Sequence, residues 1–229
     1  MAIVLLLVFY SASLPQSSQT IQVQFERQYS EKSLKETVKG NIYYQAPGRI
    51  TVVVTYPVKQ WMIFEGKQLI IYYPDDKQAF QINAQFPISL PFFEALIGVV
   101  KIDYGLTDIG YVLSNYKTRA DTLFTYWSPS KKKTSKALGE FTLAYVSDKI
   151  VYAELKKRDG TTISKSFYKN HIRCGTTYFP LEIYTIRYTK KDSTFEKVVY
   201  TNPQFDKSFP PEVTNFKIPT NVKIEEINW

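Results

Sequence analysis

From Ile21 onward, apolar and polar positions alternate in pairs. In 21–29 (IQVQFERQY), Ile21, Val23 and Phe25 fall on one side and Gln22, Gln24 and Glu26 on the other. That period of two is the signature of a strand with one buried face. Residues 34–44 (LKETVKGNIYY) continue the pattern, Pro47-Gly48 marks a turn, and 49–56 (RITVVVTY) is a third strand ended by Pro57. Residues 58–64 and 67–73 then read as a hairpin about Glu65-Gly66, a usable two-residue connection. Centred there, the turn predicts that Phe64 faces Lys67, Met62 faces Leu69 and Trp61 faces Ile70. One face of this hairpin carries Met62, Phe64, Leu69 and Ile71; the other carries Trp61, Ile63, Ile70 and Tyr72. An antiparallel sheet with one wet side would not be apolar on both faces. Something must cover each.

The alternation breaks at 87–100 (PISLPFFEALIGVV), where Phe92, Phe93, Leu96 and Ile97 fall at helical spacing behind Pro91. This predicts a short helix left through Gly98. Residues 104–115 look irregular or helical and then extended. Further strands are expected at 78–82, 120–127, 139–146, 149–157, 161–168, 180–189 and 195–201. Ser147-Asp148, Asp159-Gly160 and Lys191-Asp192-Ser193 supply turns between them. The tail, 216–219 (FKIP) and 222–227 (VKIEEI), closes with a short edge strand. The sum is a mainly β domain of about eleven strands, spaced as in a curled sheet or barrel.

Composition agrees: 44% of the 229 residues are apolar and 16% aromatic, with 18 Tyr and 15 Phe, far from a disordered chain. No linker-like stretch divides it, so a single domain over 14–229 is expected. Ahead of it, MAIVLLLVFY (1–10) followed by Ser11-Ala12-Ser13 reads as a secretory signal over 1–13, although it carries no basic residue. The run is short for a membrane span. Export is the expectation.

The net charge is +8 and the pI about 9.3. A nucleic-acid reader gathers its bases into a stripe. Here, apart from short runs such as Lys131-Lys132-Lys133, the bases are spread along the strands, so the charge reads as a solvated surface and no nucleic-acid partner is expected. One cysteine, Cys174, and one histidine, His171, make neither an internal disulfide nor a zinc set. No Gly-x-Ser-x-Gly, phosphate loop or His-Glu-x-x-His occurs. The acidic pairs Asp75-Asp76 and Glu225-Glu226 point to opposite faces if extended. Neither an enzyme, a metal nor a cofactor is expected.

At the hairpin the order of motifs resembles a known family. It reads Gly40-Asn-Ile-Tyr-Tyr-Gln-Ala-Pro47-Gly48-Arg49, Pro57, Glu65-Gly66-Lys67, Leu69, Tyr72, Pro74 and Gln78, with Asn202 and Phe216-Lys-Ile-Pro219 near the end. This is similar to the LolA-type outer-membrane lipoprotein carrier and sorting proteins, over roughly residues 20–227. The resemblance implies an unclosed barrel: a strongly curved antiparallel sheet with a short helical lid over a hydrophobic cavity. It implies that Ile50, Val52, Val54, Met62, Phe64, Leu69 and Ile71 line the concave face for acyl chains, and that Phe92, Phe93, Leu96 and Ile97 form the lid. The implied activity is a monomeric periplasmic carrier of lipoprotein acyl chains or phospholipid towards the outer membrane. It would work between an inner-membrane releasing complex and an outer-membrane acceptor, with Lys131, Lys132 and Lys133 as a membrane or partner contact. The alternative within the same fold is an envelope sensor that holds lipid as a signal. Ala46 and Val52 stand where family members often carry arginine and an aromatic residue.

Overall fold

The computed structural model describes residues 20–83, 96, 101, 103–130, 138–189 and 192–228. Strands β1 (Thr20–Glu31), β2 (Leu34–Gln45), β3 (Arg49–Tyr56), β4 (Gln60–Glu65), β5 (Gln68–Tyr73) and β6 (Gln78–Asn83) make the first half. The second half holds β7 (Tyr111–Arg119), β8 (Thr122–Pro129), β9 (Leu138–Val146), β10 (Lys149–Lys157), β11 (Thr162–Cys174), β12 (Thr177–Tyr188) and β13 (Ser193–Phe205). One helical turn, Pro211–Thr214, precedes β14 (Ile224–Asn228). All belong to one open, curved sheet in the order β14-β6-β5-β4-β3-β2-β1-β13-β12-β11-β10-β9-β8-β7. Every pairing is antiparallel except β14 beside β6. The barrel does not close.

Fourteen strands among the described residues correct the expectation of about eleven. The undercount lies partly at one edge. Strand β7, expected as irregular and then extended, has only its first residue buried. An edge strand lacks the alternation that burial imposes on an inner one.

The β4–β5 hairpin is also in a different register. Phe64 faces Leu69, Met62 faces Ile71 and Trp61 faces Tyr72, two residues from the predicted pairing. The loop is Gly66-Lys67, with Gly66 at φ +60°. Positive φ at the first central position alone suits a II′-type turn, which glycine adopts at no steric cost. A slip of two preserves each residue's face, so both apolar faces stand as expected.

On the concave face one row runs Ile21, Tyr44, Ile50, Phe64, Leu69 and Ile82 across adjacent strands. The next runs Val23, Ile42, Val52, Met62, Ile71 and Phe80. Continuing through Tyr200, Ile183, Phe179, Tyr168 and Leu143, this face forms the main core. It is roofed in part by Leu96, which is helical, and by the 103–110 turn, which inserts Leu106. Asp103 shapes that turn by accepting from the backbone N–H groups of Gly105 and Thr107, each at 3.0 Å. The Tyr104 hydroxyl donates to that of Tyr168 at 2.5 Å and ties the turn to the sheet.

The opposite face of β2–β6 is covered by the C-terminal segment. Phe216 stacks on Trp61, centroids 4.0 Å apart and planes 4° from parallel. Phe209 meets Tyr43 edge-on at 5.5 Å. Val222 completes a second small core with Tyr72 and Ala79. The segment ends as β14, the predicted edge strand, and seals the β6 edge.

Gly40 is required by close approach. A Cβ there would lie 2.3 Å from the Val53 carbonyl oxygen and 2.9 Å from the Val54 Cα, beside an irregularity in the β2–β3 pairing between Lys39 and Gly40. Neither backbone can retreat without breaking the ladder. Gly40→Ala is expected to cost at least ~2 kcal/mol, read as a lowered denaturant midpoint with an unchanged slope.

Candidate functional site

The concave face is the candidate site. Of the residues expected to contact acyl chains, Val52, Val54, Met62, Phe64 and Leu69 are buried in the main core, and Ile50 and Ile71 pack against it. Alternation on β3, β4 and β5 brings all seven to one surface. Leu96 is 1% exposed and joins the same core. Phe92, Phe93 and Ile97, with the rest of the expected helix, lie outside the described residues, as do Lys131, Lys132 and Lys133 and the whole 1–13 segment. Two hollows of about 420 and 500 Å³ lie elsewhere, one around Tyr29, Thr37, Tyr184 and Lys197, the other around Gln24, Lys39, Asn41 and Thr201. Neither is lined by an expected acyl contact.

Two polar features interrupt the apolar surface. The first is a buried ion cluster on the central strands. Arg27 (β1) and Glu196 (β13) point to the concave side, in step with Phe25 and Tyr200, and Arg187 (β12) is in step with Ile183. The Glu196 carboxylate, 3% exposed, accepts from Arg27 Nε and Arg187 Nη1, both at 2.7 Å. Beside it the Ser166 and Thr185 hydroxyls bond to each other at 2.9 Å. Sequence reading missed this cluster because Arg27 and Glu196 are 169 residues apart. The only local hint is a charged residue at an inward position of an otherwise alternating strand.

The second feature is Tyr111, at the start of β7. Its side chain is buried and its hydroxyl has no hydrogen-bond partner among the described residues. An unmet buried hydroxyl costs about 1–3 kcal/mol.

His171 and Cys174 form no reactive pair. They are three apart on β11 and so face opposite sides of the sheet. Cys174 is buried in the core. His171 Nε2 lies 2.7 Å from the Ile150 carbonyl oxygen, so that nitrogen carries the hydrogen. Among the described residues no group of three His, Cys, Asp or Glu is placed to hold a metal. No described helix is long and apolar enough to cross a membrane.

With this geometry in hand, comparison with known proteins is direct. The family model described as "Outer membrane lipoprotein carrier protein LolA" matches residues 16–169. No curated protein matches the chain. Among solved structures, a DUF1329 family protein from Desulfovibrio piger superposes with a TM-score of 0.62 at 13% identity, covering 85% of this chain and 89% of that one. A putative outer membrane lipoprotein-sorting protein domain from Vibrio parahaemolyticus gives 0.59 at 8% identity, covering 86% and 89%. A LolA superfamily protein from Nitrosomonas europaea gives 0.56 at 14% identity, covering 86% and 90%. These likenesses concern the fold. The family match spans more than half of the sequence, and the chain belongs to the LolA family.

Two predictions follow from the side chains. Burial holds the His171 pKa below its usual 6.5, the nearby Lys149 adds to this, and the bond to Ile150 opposes it. A depressed folded value means that the imidazole contributes stability above the unfolded pKa and loses it as pH falls through the folded one. Wild type should therefore lose stability faster than His171→Gln as pH falls from about 6.5 through the lower folded value, measured as denaturation midpoints above and below that interval. Glu196→Ala leaves two guanidiniums facing each other, 18% and 38% exposed. Water screens both, so the change should cost about 1–2 kcal/mol by chemical denaturation, less than for a fully buried pair.

Proposed function

We propose that this member of the LolA family is an exported, periplasmic carrier that binds the acyl chains of lipoproteins or phospholipids against its concave face. The observation that carries this reading is the construction of that face. An apolar surface on an open sheet, broken only on its central strands by the Glu196 cluster, is roofed by Leu96 and the 103–110 turn, with no second sheet opposite among the described residues. A roof made of short segments can be displaced by cargo in a way that a packed sheet cannot. Each CH₂ removed from water is worth ~0.8 kcal/mol, so one long acyl chain represents on the order of 10 kcal/mol. Displacing Leu106 and Leu96 returns part of that cost, and a net affinity small enough to permit release remains.

The Tyr111 hydroxyl supports the same reading. It is a buried donor at the inner start of β7, suited to the ester or amide carbonyl at the head of an acyl chain. The carrier does no chemistry on its cargo, so an enzymatic role is not part of the proposal.

The test is cargo and transfer. Recombinant protein should copurify with phospholipid or acylated protein, identified by mass spectrometry, and should deliver acylated protein from inner-membrane vesicles to an acceptor. Tyr111→Phe should fold with equal or greater stability, because the unmet hydroxyl is gone, yet hold cargo several-fold more weakly. Protein that never carries lipid sinks the proposal. Lipid that is held but never moved assigns the chain to sensing instead.

A further inference from the structure

The two edges of the sheet are finished differently. At one, β14 pairs with β6 and the tail covers the adjoining face. At the other, β7 is the last strand of the described sheet and most of it is exposed. Pairing carries the concave face out to this edge: Leu113 opposes Trp127, Tyr116 opposes Thr125 and Thr118 opposes Leu123, and Trp127 packs on the main core. The apolar surface thus continues beyond its roof as an apron. Leu113 is 51% exposed, Tyr116 70% and Leu123 38%. On the other side of the same strand stand Lys117 and Arg119, paired with Phe124 and Thr122, with Val112, 51% exposed, at the strand's start. Asp121 is the only acidic residue in the hairpin, and the whole chain carries +8.

We infer that the β7–β8 edge docks on an anionic lipid bilayer. An edge hairpin with exposed leucines and tyrosine on one side and lysine and arginine on the other matches the two layers of a membrane surface. Apolar and aromatic side chains sink to the acyl boundary while the bases remain among anionic headgroups. The outward backbone groups of an edge strand need hydrogen-bond partners, and the hydrated headgroup region supplies them. Complementary charge decides for a membrane over a second copy of this chain: two like-charged edges would repel, whereas an anionic surface attracts both bases. Docked this way, the apron joins the acyl region of the bilayer to the concave face. That last point rests on the carrier reading; the docking itself does not.

Co-sedimentation of the full chain with vesicles reads the docking directly. Phosphatidylcholine vesicles containing phosphatidylglycerol should bind the protein, and pure phosphatidylcholine should not. Lys117→Gln with Arg119→Gln should weaken binding about thirtyfold, as two bases near an anionic surface predict. Leu113→Ser with Tyr116→Ser should weaken it about tenfold, with an unchanged melting temperature because both side chains are exposed. Equal binding to both vesicles, no binding to the anionic ones, or indifference to either pair of substitutions overturns the inference. So does a dimer that the Leu113 and Tyr116 substitutions dissolve, without vesicle binding. Failure of the carrier reading appears separately, as protein that docks yet never holds lipid.

Discussion

Removing one face of a wide sheet from water is the constraint on which the rest of this molecule depends. An antiparallel sheet buries a face against a second layer or by closing on itself. Among the described residues this sheet neither closes nor meets a second sheet. Its fourteen strands curve without joining, and the layer over the concave side comes partly from the turn between β6 and β7. The turn owes its shape to Asp103 and its anchorage to the tyrosine pair, Tyr104 and Tyr168. The described ties of the turn are local, whereas the strands beneath are held by continuous ladders.

The opposite face poses the same problem on a smaller scale and solves it more firmly. Trp61 and Tyr72 need cover only over β2–β6, and the segment after β13 supplies it with Phe209, Phe216 and Val222. Because that segment then enters the sheet as β14, its cover is tied down at both ends. One face has a strap and the other a roof, and the difference lies in how each covering segment is anchored.

Much of this was legible in the sequence. Period-two alternation located the inner strands, and the doubly apolar β4–β5 hairpin announced two coverings. It could not say which segment would serve, because Phe209, Phe216 and Val222 follow no period; they are spaced by the path of an irregular chain over a surface. Hairpin register was misplaced by two because glycine sits at the first central position of its turn, not the second. Edge strand β7 was read as partly irregular because nothing buries its sides. The Arg27–Glu196–Arg187 cluster was invisible because it depends on β1 and β13 being neighbours, a fact of topology that no local window holds.

That cluster bears on where an apolar ligand would lie. A carboxylate 3% exposed and held by two guanidiniums is stable only while its hydrogen bonds stay intact, and an alkyl chain laid over it would supply none. The hydroxyl pair Ser166–Thr185 extends the same polar ground across β11 and β12. The central strands therefore offer an acyl chain little at this level, whereas the rows from Ile21 to Ile82 and from Val23 to Phe80 are apolar apart from the Tyr44 hydroxyl. Phe141, Leu143 and Trp127 on the far side are apolar again. On the carrier reading, an acyl chain gains most where it keeps off the ion cluster. Polar ground in the middle of the face thus directs a ligand by exclusion, where the apolar rows alone would leave its path undefined.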